Sequence, residues 1–298
     1  MSDNLRGSLF MVLAMLGFAI EDAFFKSATG IGVSAGVGTM IFGLFGTASF
    51  VLYAVWTREP VIRRAYIEGP LLIRSAFEIL GRLFFALSLA FAPLSTTSAI
   101  LQAAPLVVTL GAVVVLREPV GLRRWVAMAV GFFGVLLILR PTPSGFDATA
   151  IFALLGMIGF AGRDLMTRAS PPEVSATQLG ILGFLMVFIA GLVITVFEAD
   201  PLAPPTLPAL ALLMGTGLAG LVGYSALTKA MRTGEVSVVA PFRYARLLIA
   251  LVLAFFIFGE RPDAPTLIGA TLIVGSGTYT LIRSGRKHGA GAVPRSGV

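Results

Sequence analysis

Apolar stretches about 20 residues long recur along the whole chain, each about enough to cross a ~30 Å hydrocarbon core as a helix. Between them lie short segments punctuated by Pro, Gly and charge, such as "TREPVIRRAYIEGP", "REPVGLRR", "RPTPSGFD" and "EADPLAPPTLP". This pattern predicts ten membrane-spanning helices, at 8–26, 32–56, 71–91, 96–116, 122–140, 148–167, 176–197, 208–231, 236–258 and 265–282. The first span, with Arg6 ahead of it, has the outline of a signal peptide. A later echo of its sequence argues that it is part of the fold. The Gly-rich basic segment 284–298 is expected to be a disordered cytoplasmic tail.

The echo is specific. "GFAIEDAFFK" at 17–26 returns as "GFAGRDLMTR" at 159–168, an offset of 142 residues. Gly17, Phe18, Ala19 and Asp22 reappear as Gly159, Phe160, Ala161 and Asp164. The same register pairs Gly38 with Gly180, Phe42 with Phe184, Gly81 with Gly223, and Glu118 with Glu260. A duplication accounts for one register held over so long a stretch. The unit is five spans, so the second copy enters the membrane inverted relative to the first. The expected architecture is therefore an all-α integral membrane protein of two inverted five-helix repeats, residues 1–141 and 142–283. Inverted repeats are the construction of carriers, with substrate near the midplane between the halves.

Composition supports the membrane reading. The chain is 57% hydrophobic and 12% charged, against roughly 25% charged in soluble domains, and its mean hydropathy is +0.93. The net charge of +7 is explained by loop Lys and Arg rather than by nucleic acid, since no basic patch is interleaved with stacking aromatics. With the N-terminus on one side, thirteen Lys and Arg fall on that side and three on the other, which places both termini in the cytoplasm. No Cys is present and the one His, His288, lies in the tail. A thiolate site and an intramembrane His metal site or proton relay are thereby excluded, and no cofactor is expected.

Ten spans, the five-plus-five duplication and a helix ending in Glu-Pro or Glu-Arg-Pro in each half resemble the drug/metabolite transporter superfamily, and within it the EamA family of bacterial exporters. The resemblance covers about 8–283. "APLVVTLGAVVVLREPVGLRRWVAMAVGFFGVLLI" (104–138) and "APFRYARLLIALVLAFFIFGERPDAPTLIGATLIVGSG" (240–277) look like its fourth-to-fifth and ninth-to-tenth helices. The resemblance implies an inner-membrane transporter of amino acids, other metabolites or cationic drugs, and neutral or aromatic amino acid exporters are the subtype most similar. It also implies a cavity surrounded by the third, fourth, eighth and ninth helices, with the fifth and tenth outside.

Ionisable residues inside spans are the candidate chemistry, because a charge at the bilayer centre costs at least ~2.5 kcal/mol and should face protein or water. Arg74, Glu78 and Arg82 share one helical face, and Arg74 lies near enough to the cytoplasmic end to snorkel. Glu78 and Arg82 are read either as a fixed ion pair or as cavity groups for a substrate ammonium and carboxylate. Arg243 and Arg246 flank Tyr244 in "APFRYARLL", and Gln102 is a polar residue in an apolar span. Pro105 and Pro241 interrupt their helices as hinges or static kinks. Phe84, Phe85, Tyr224, Phe242 and Tyr244 are candidate walls. Glu21 and Asp22 near one face, and Arg163 and Asp164 near the other, are expected to act as gates or to be solvated helix ends. Gly17 and Gly159 would allow flexure or close packing.

Six basic groups within spans outnumber the deep acids, which favours a zwitterion with an apolar side chain over a cationic drug or a phosphorylated sugar. No GxxxxGK[ST] occurs, so ATP is not the expected energy source, and Glu78 is the candidate for coupling to a proton. No nucleophile elbow or facing aspartate pair supports an intramembrane enzyme. A channel is the remaining alternative. The expectation is an alternating-access secondary transporter exporting small metabolites, with membrane lipid and a small molecule as partners.

Overall fold

The computed structural model describes residues 2–91, 100–139, 150–198, 204–249, 252 and 263–290. Among these, ten α-helical elements and no strand occur. They are α1 (Asp3–Gly30), α2 (Ala35–Trp56), α3 (Gly69–Phe91), α4 (Ala104–Val114), α5 (Leu122–Leu139), α6 (Ala150–Ala169), α7 (Ala176–Val196), α8 (Leu207–Thr233), the single-turn α9 (Val236–Val239) and α10 (Ala264–Ala290). A 3-10 turn, Arg64–Ile67, precedes α3, and another, Ala240–Tyr244, continues α9 into helical residues 245–249.

The long helices begin where a side-chain oxygen can satisfy first-turn N–H groups. Ser2 accepts from Leu5 ahead of α1, and Ser34 from Val37 ahead of α2. Ser175 and Gln178 form a reciprocal capping box at α7. Among the described residues, α1, α2, α7 and α8 are long and apolar enough to cross a membrane. Arg74, Glu78 and Arg82 set α3 apart from these four. The fourth predicted span is broken by a turn at residues 102–103, so its helix restarts with Pro105 in the first turn of the short α4. This is what a residue without an N–H allows at a helix start. The ninth span stays helical over residues 236–249 but tightens to a 3-10 turn around Pro241. α10 runs to Ala290, into the segment expected to be a disordered tail, and 291–298 lie outside the described residues.

Packing is pairwise. α1 lies along α8, α3 along α6, α2 along α7 and α5 along α10. Met11, Ala14 and Met15 of α1 pack on Ala226, Leu227, Ala230 and Met231 of α8. Val108 and Ala112 of α4 pack on Ala161 and Leu165 of α6. Where α1 crosses α8, a Cβ on Gly17 would stand 2.7 Å from Gly223 N and Cα, and Phe18 lies over Gly223. Where α6 crosses α3, a Cβ on Gly159 would meet Gly81 backbone in the same way, and Phe160 lies over Gly81. Only glycine permits such backbone contact, the small-residue device of membrane helix pairs.

Candidate functional site

The helix pairs leave a central cavity of about 910 Å³ of empty space, part of it open to the surroundings. Its wall takes side chains from α1, α2, α3, α4, α6, α7, α8 and the segment after Pro241. Charged groups of both signs and aromatic rings share it.

Glu78 is 1% exposed and both its carboxylate oxygens are engaged. Its Oε1 accepts from Arg163 Nη1 at 3.0 Å and its Oε2 from the Tyr224 hydroxyl at 2.7 Å. Arg74 Nη2 lies 3.6 Å from the same Oε2 and donates to the Tyr224 oxygen at 2.5 Å, while Arg74 Nε donates to Thr167 Oγ1 at 3.0 Å. Glu78 therefore turns back to Arg74, not forward to Arg82. Arg74, equally buried, does not snorkel to the interface. It is locked into a network tying α3 to α6 and α8, which is a structural role, with partners that its sequence position did not disclose. Such a cluster is tolerable at low dielectric only because each charge has opposite partners.

Arg163 also donates to Asp164 Oδ1 at 2.8 Å, and Arg243 pairs with Asp164 Oδ2. Three residues further on, Arg246 pairs with Asp22. Arg82 reaches Glu21 at 3.4 Å. Glu21, Asp22 and Arg163 thus border one cavity, with Asp164 tied to it through Arg243, rather than standing at opposite ends of the protein. α1 continues to Gly30 and α6 to Ala169, so at 1.5 Å per residue Glu21 and Asp22 lie about 12–14 Å, and Arg163 and Asp164 about 8–9 Å, inside those helix ends.

The remaining candidates separate. Arg82, Phe85, Gln102, Pro105, Tyr224, Arg243 and Arg246 line the cavity with Glu78. Tyr244 turns away and is buried with Val135 of α5 and Ile273 of α10. Phe242 packs toward the α1–α8 core, and Phe84 stacks on Phe152. Gly17 and Gly159 sit at helix crossings, and Pro241 sits in the 3-10 turn. Phe18, Phe42, Phe160 and Phe184 also line the cavity. They were visible in the sequence as repeat positions, not as walls. Phe42 meets Phe184 edge-on at 5.1 Å between centroids, and Phe184 meets Tyr224 at 5.0 Å.

A second polar cluster ties one end of the bundle. Glu118 accepts from the N–H groups of Val236 and Ser237 at 3.2 Å each. Arg124 donates to Glu235 and to Ser237 Oγ at 2.7 Å each, and Glu235 N–H donates to Asn4 at 2.9 Å. Glu260, expected to be its counterpart, lies outside the described residues.

The EamA-like transporter family matches residues 5–140 and 148–282. The S-adenosylmethionine uptake transporter of Rickettsia bellii is 31% identical over 216 residues, covering 72% of this chain and 73% of that protein. The riboflavin transporter of Vibrio cholerae is 27% identical over 275 residues, covering 91% of each. A protein of known crystal structure shares the fold at a TM-score of 0.80 and 17% identity, over 93% of this chain and 97% of that one.

Proposed function

The chain belongs to the EamA-like transporter family, and on that premise we propose that it is a carrier of zwitterionic small molecules bearing an aromatic group, amino acids of that kind above all. The observation that carries this reading is the cavity wall, where guanidinium and carboxylate groups stand among Phe18, Phe42, Phe85, Phe160, Phe184 and Tyr224. Guanidinium groups pair with a carboxylate, carboxylates with an ammonium, and the rings with an apolar side group.

The charge balance narrows the class. In and immediately around the cavity, the described residues carry five guanidinium groups (Arg74, Arg82, Arg163, Arg243, Arg246) and four carboxylates (Glu21, Asp22, Glu78, Asp164). An incoming carboxylate offsets that excess, whereas a cationic drug adds to it. S-adenosylmethionine, named for the Rickettsia relative, is itself an amino acid with a heteroaromatic ring and a sulfonium cation. The excess of guanidinium in this chain favours a neutral side group over that cation. Relatives are named both for uptake, as in Rickettsia bellii, and for export, as in Pseudomonas aeruginosa, and in this reading the gradients set the net direction.

The carrier works by alternating access between two inverted repeats, 1–141 and 142–283, in a bacterial cytoplasmic membrane with both termini inside. The packing supports the repeat. Exchanging each helix for its counterpart turns the α1–α8 pair into the α6–α3 pair and leaves α2–α7 and α5–α10 unchanged. The contacts Gly17–Gly223 and Gly159–Gly81 exchange in the same way. The broken segment at Pro105 and the 3-10 turn at Pro241, with the pairs formed by Arg243 and Arg246, are the elements that would rearrange between states.

Titration of the purified protein with L-phenylalanine and L-tryptophan tests this reading through its melting temperature. A ligand that binds only the folded state stabilises by RT ln(1 + [L]/Kd), so a rise with the logarithm of concentration is expected. No rise with any amino acid, in protein that unfolds cooperatively, contradicts it.

A further inference from the structure

The ion pairs around the cavity are not equivalent. Both oxygens of Glu78 are engaged, by Arg163 on one side and by Tyr224 with Arg74 on the other. Both oxygens of Asp164 are engaged by Arg163 and Arg243. Asp22 and Arg246 form a close pair, but their side chains are 48% and 35% exposed. At such exposure solvent already screens the charges, and a substrate gains little by replacing it.

Glu21 and Arg82 are joined by less. Their side chains are 7% and 17% exposed, so the pair is largely removed from solvent, yet it is held by a 3.4 Å contact without the bridging hydroxyl that Tyr224 gives the 3.6 Å Arg74–Glu78 pair. Arg82 Nε, like Arg74 Nη1, is buried without a hydrogen-bond partner. The guanidinium lies 5.0 Å from the centroid of the Phe42 ring. Gly220 of α8 lets Phe42 and Glu21 lie side by side, since a Cβ there would stand 2.6 Å from Phe42 Cζ and 3.4 Å from Glu21 Oε2. The result is a buried, loosely joined charge pair against an aromatic face, with donor capacity unused.

We propose that Glu21 and Arg82 are a charge-exchange subsite for the head group of a zwitterionic amino acid. The substrate carboxylate takes the Arg82 guanidinium, including its Nε–H, while the substrate ammonium takes the Glu21 carboxylate. The side chain then lies toward Phe42 and Phe184. This assignment rests on the proposed function and deepens it. Two opposite charges arriving together replace one buried pair by two, so no charge is left alone. A substrate with a single charge opens the pair and abandons one partner, and an uncompensated buried charge is the costly case. Bidentate pairing of guanidinium with carboxylate adds geometry that the 3.4 Å contact lacks. The subsite therefore demands both head-group charges at once, and Glu78, whose oxygens are occupied, is not the ammonium site.

The test is competition against uptake of labelled L-phenylalanine into liposomes carrying the full chain. N-acetyl-L-phenylalanine lacks the ammonium and L-phenylalaninamide lacks the carboxylate. Each is expected to compete on the order of a hundredfold more weakly than L-phenylalanine. Glu21→Gln removes the demand for the ammonium alone. It is expected to narrow the gap between L-phenylalanine and its N-acetyl derivative at least about tenfold while the gap to the amide persists. Competition by both analogues within about threefold of L-phenylalanine would overturn the subsite without any variant, and so leave the carrier reading standing. Unchanged discrimination in folded Glu21→Gln would do the same. Absence of any L-phenylalanine uptake by folded protein would overturn both the subsite and the proposed function.

Discussion

Gly17 and Gly223 hold the backbones of α1 and α8 in direct contact, and Gly159 and Gly81 do the same for α6 and α3. The two contacts stand at corresponding places in the 142-residue register. Gly17→Ala and Gly159→Ala are each expected to destabilise the protein by about 1–3 kcal/mol, because the added methyl meets backbone that cannot move aside as a side chain would. Gly30→Ala, which has no neighbour within 4 Å, is the control. Thermal unfolding in detergent reads the difference, with similar losses for the two crossing variants and little for the control.

Tyr224 joins Glu78 to Arg74 by donating to one and accepting from the other. Tyr224→Phe keeps the ring on Phe184 but leaves a buried carboxylate oxygen and a buried guanidinium short of a partner. A loss of about 1–3 kcal/mol is expected, measured as a lower melting temperature with helix content unchanged.

Glu78→Gln is a more severe change. It strips the carboxylate from between Arg163 and Arg74 and leaves two buried cations with less compensation, at a cost of about 3–5 kcal/mol. The expected outcome is a large loss of folded protein on size exclusion. Wild-type stability together with altered pH dependence of transport would instead return Glu78 to the proton-coupling role that its mid-helix position suggested.

The cluster of Glu118, Arg124, Glu235 and Asn4 ties the start of α1, the end of α4, the start of α5 and the α8–α9 connection at one end of the bundle. Its removal should open the cavity toward that end. The chain has no Cys, so Gln102→Cys on the cavity wall reports access without further changes. Adding Glu118→Gln and Arg124→Gln is expected to raise labelling by an impermeant thiol reagent, supplied from the N-terminal side, about threefold or more.

Much of the fold was legible in the sequence, and particular residues show where legibility stopped. Hydropathy located α1, α2, α3, α5, α6, α7 and α8 to within a few residues, since a bilayer-length apolar run has little alternative to a helix. Hydropathy does not register a break that keeps the chain apolar, and it was Pro105 and Pro241 that marked the turn at 102–103 and the 3-10 turn at Ala240–Tyr244. Tyr244 was missed for a different reason: it stands one residue from Arg243 and two from Arg246, positions that do not share a helix face, so its ring goes between α5 and α10 while both arginines, three apart, stay on the cavity. The charged residues stood out individually. Their pairing did not, because Glu78–Arg163 and Glu21–Arg82 join helices 85 and 61 residues apart, which no local spacing rule reaches.

Counter-exchange is the most direct test of the account. Liposomes carrying the protein are loaded with unlabelled L-phenylalanine, and entry of labelled L-phenylalanine is followed against unloaded liposomes. A carrier that alternates around one cavity predicts saturable entry that preloading accelerates. Entry that does not saturate and is indifferent to preloading, or no entry at all into liposomes holding folded protein, would contradict it.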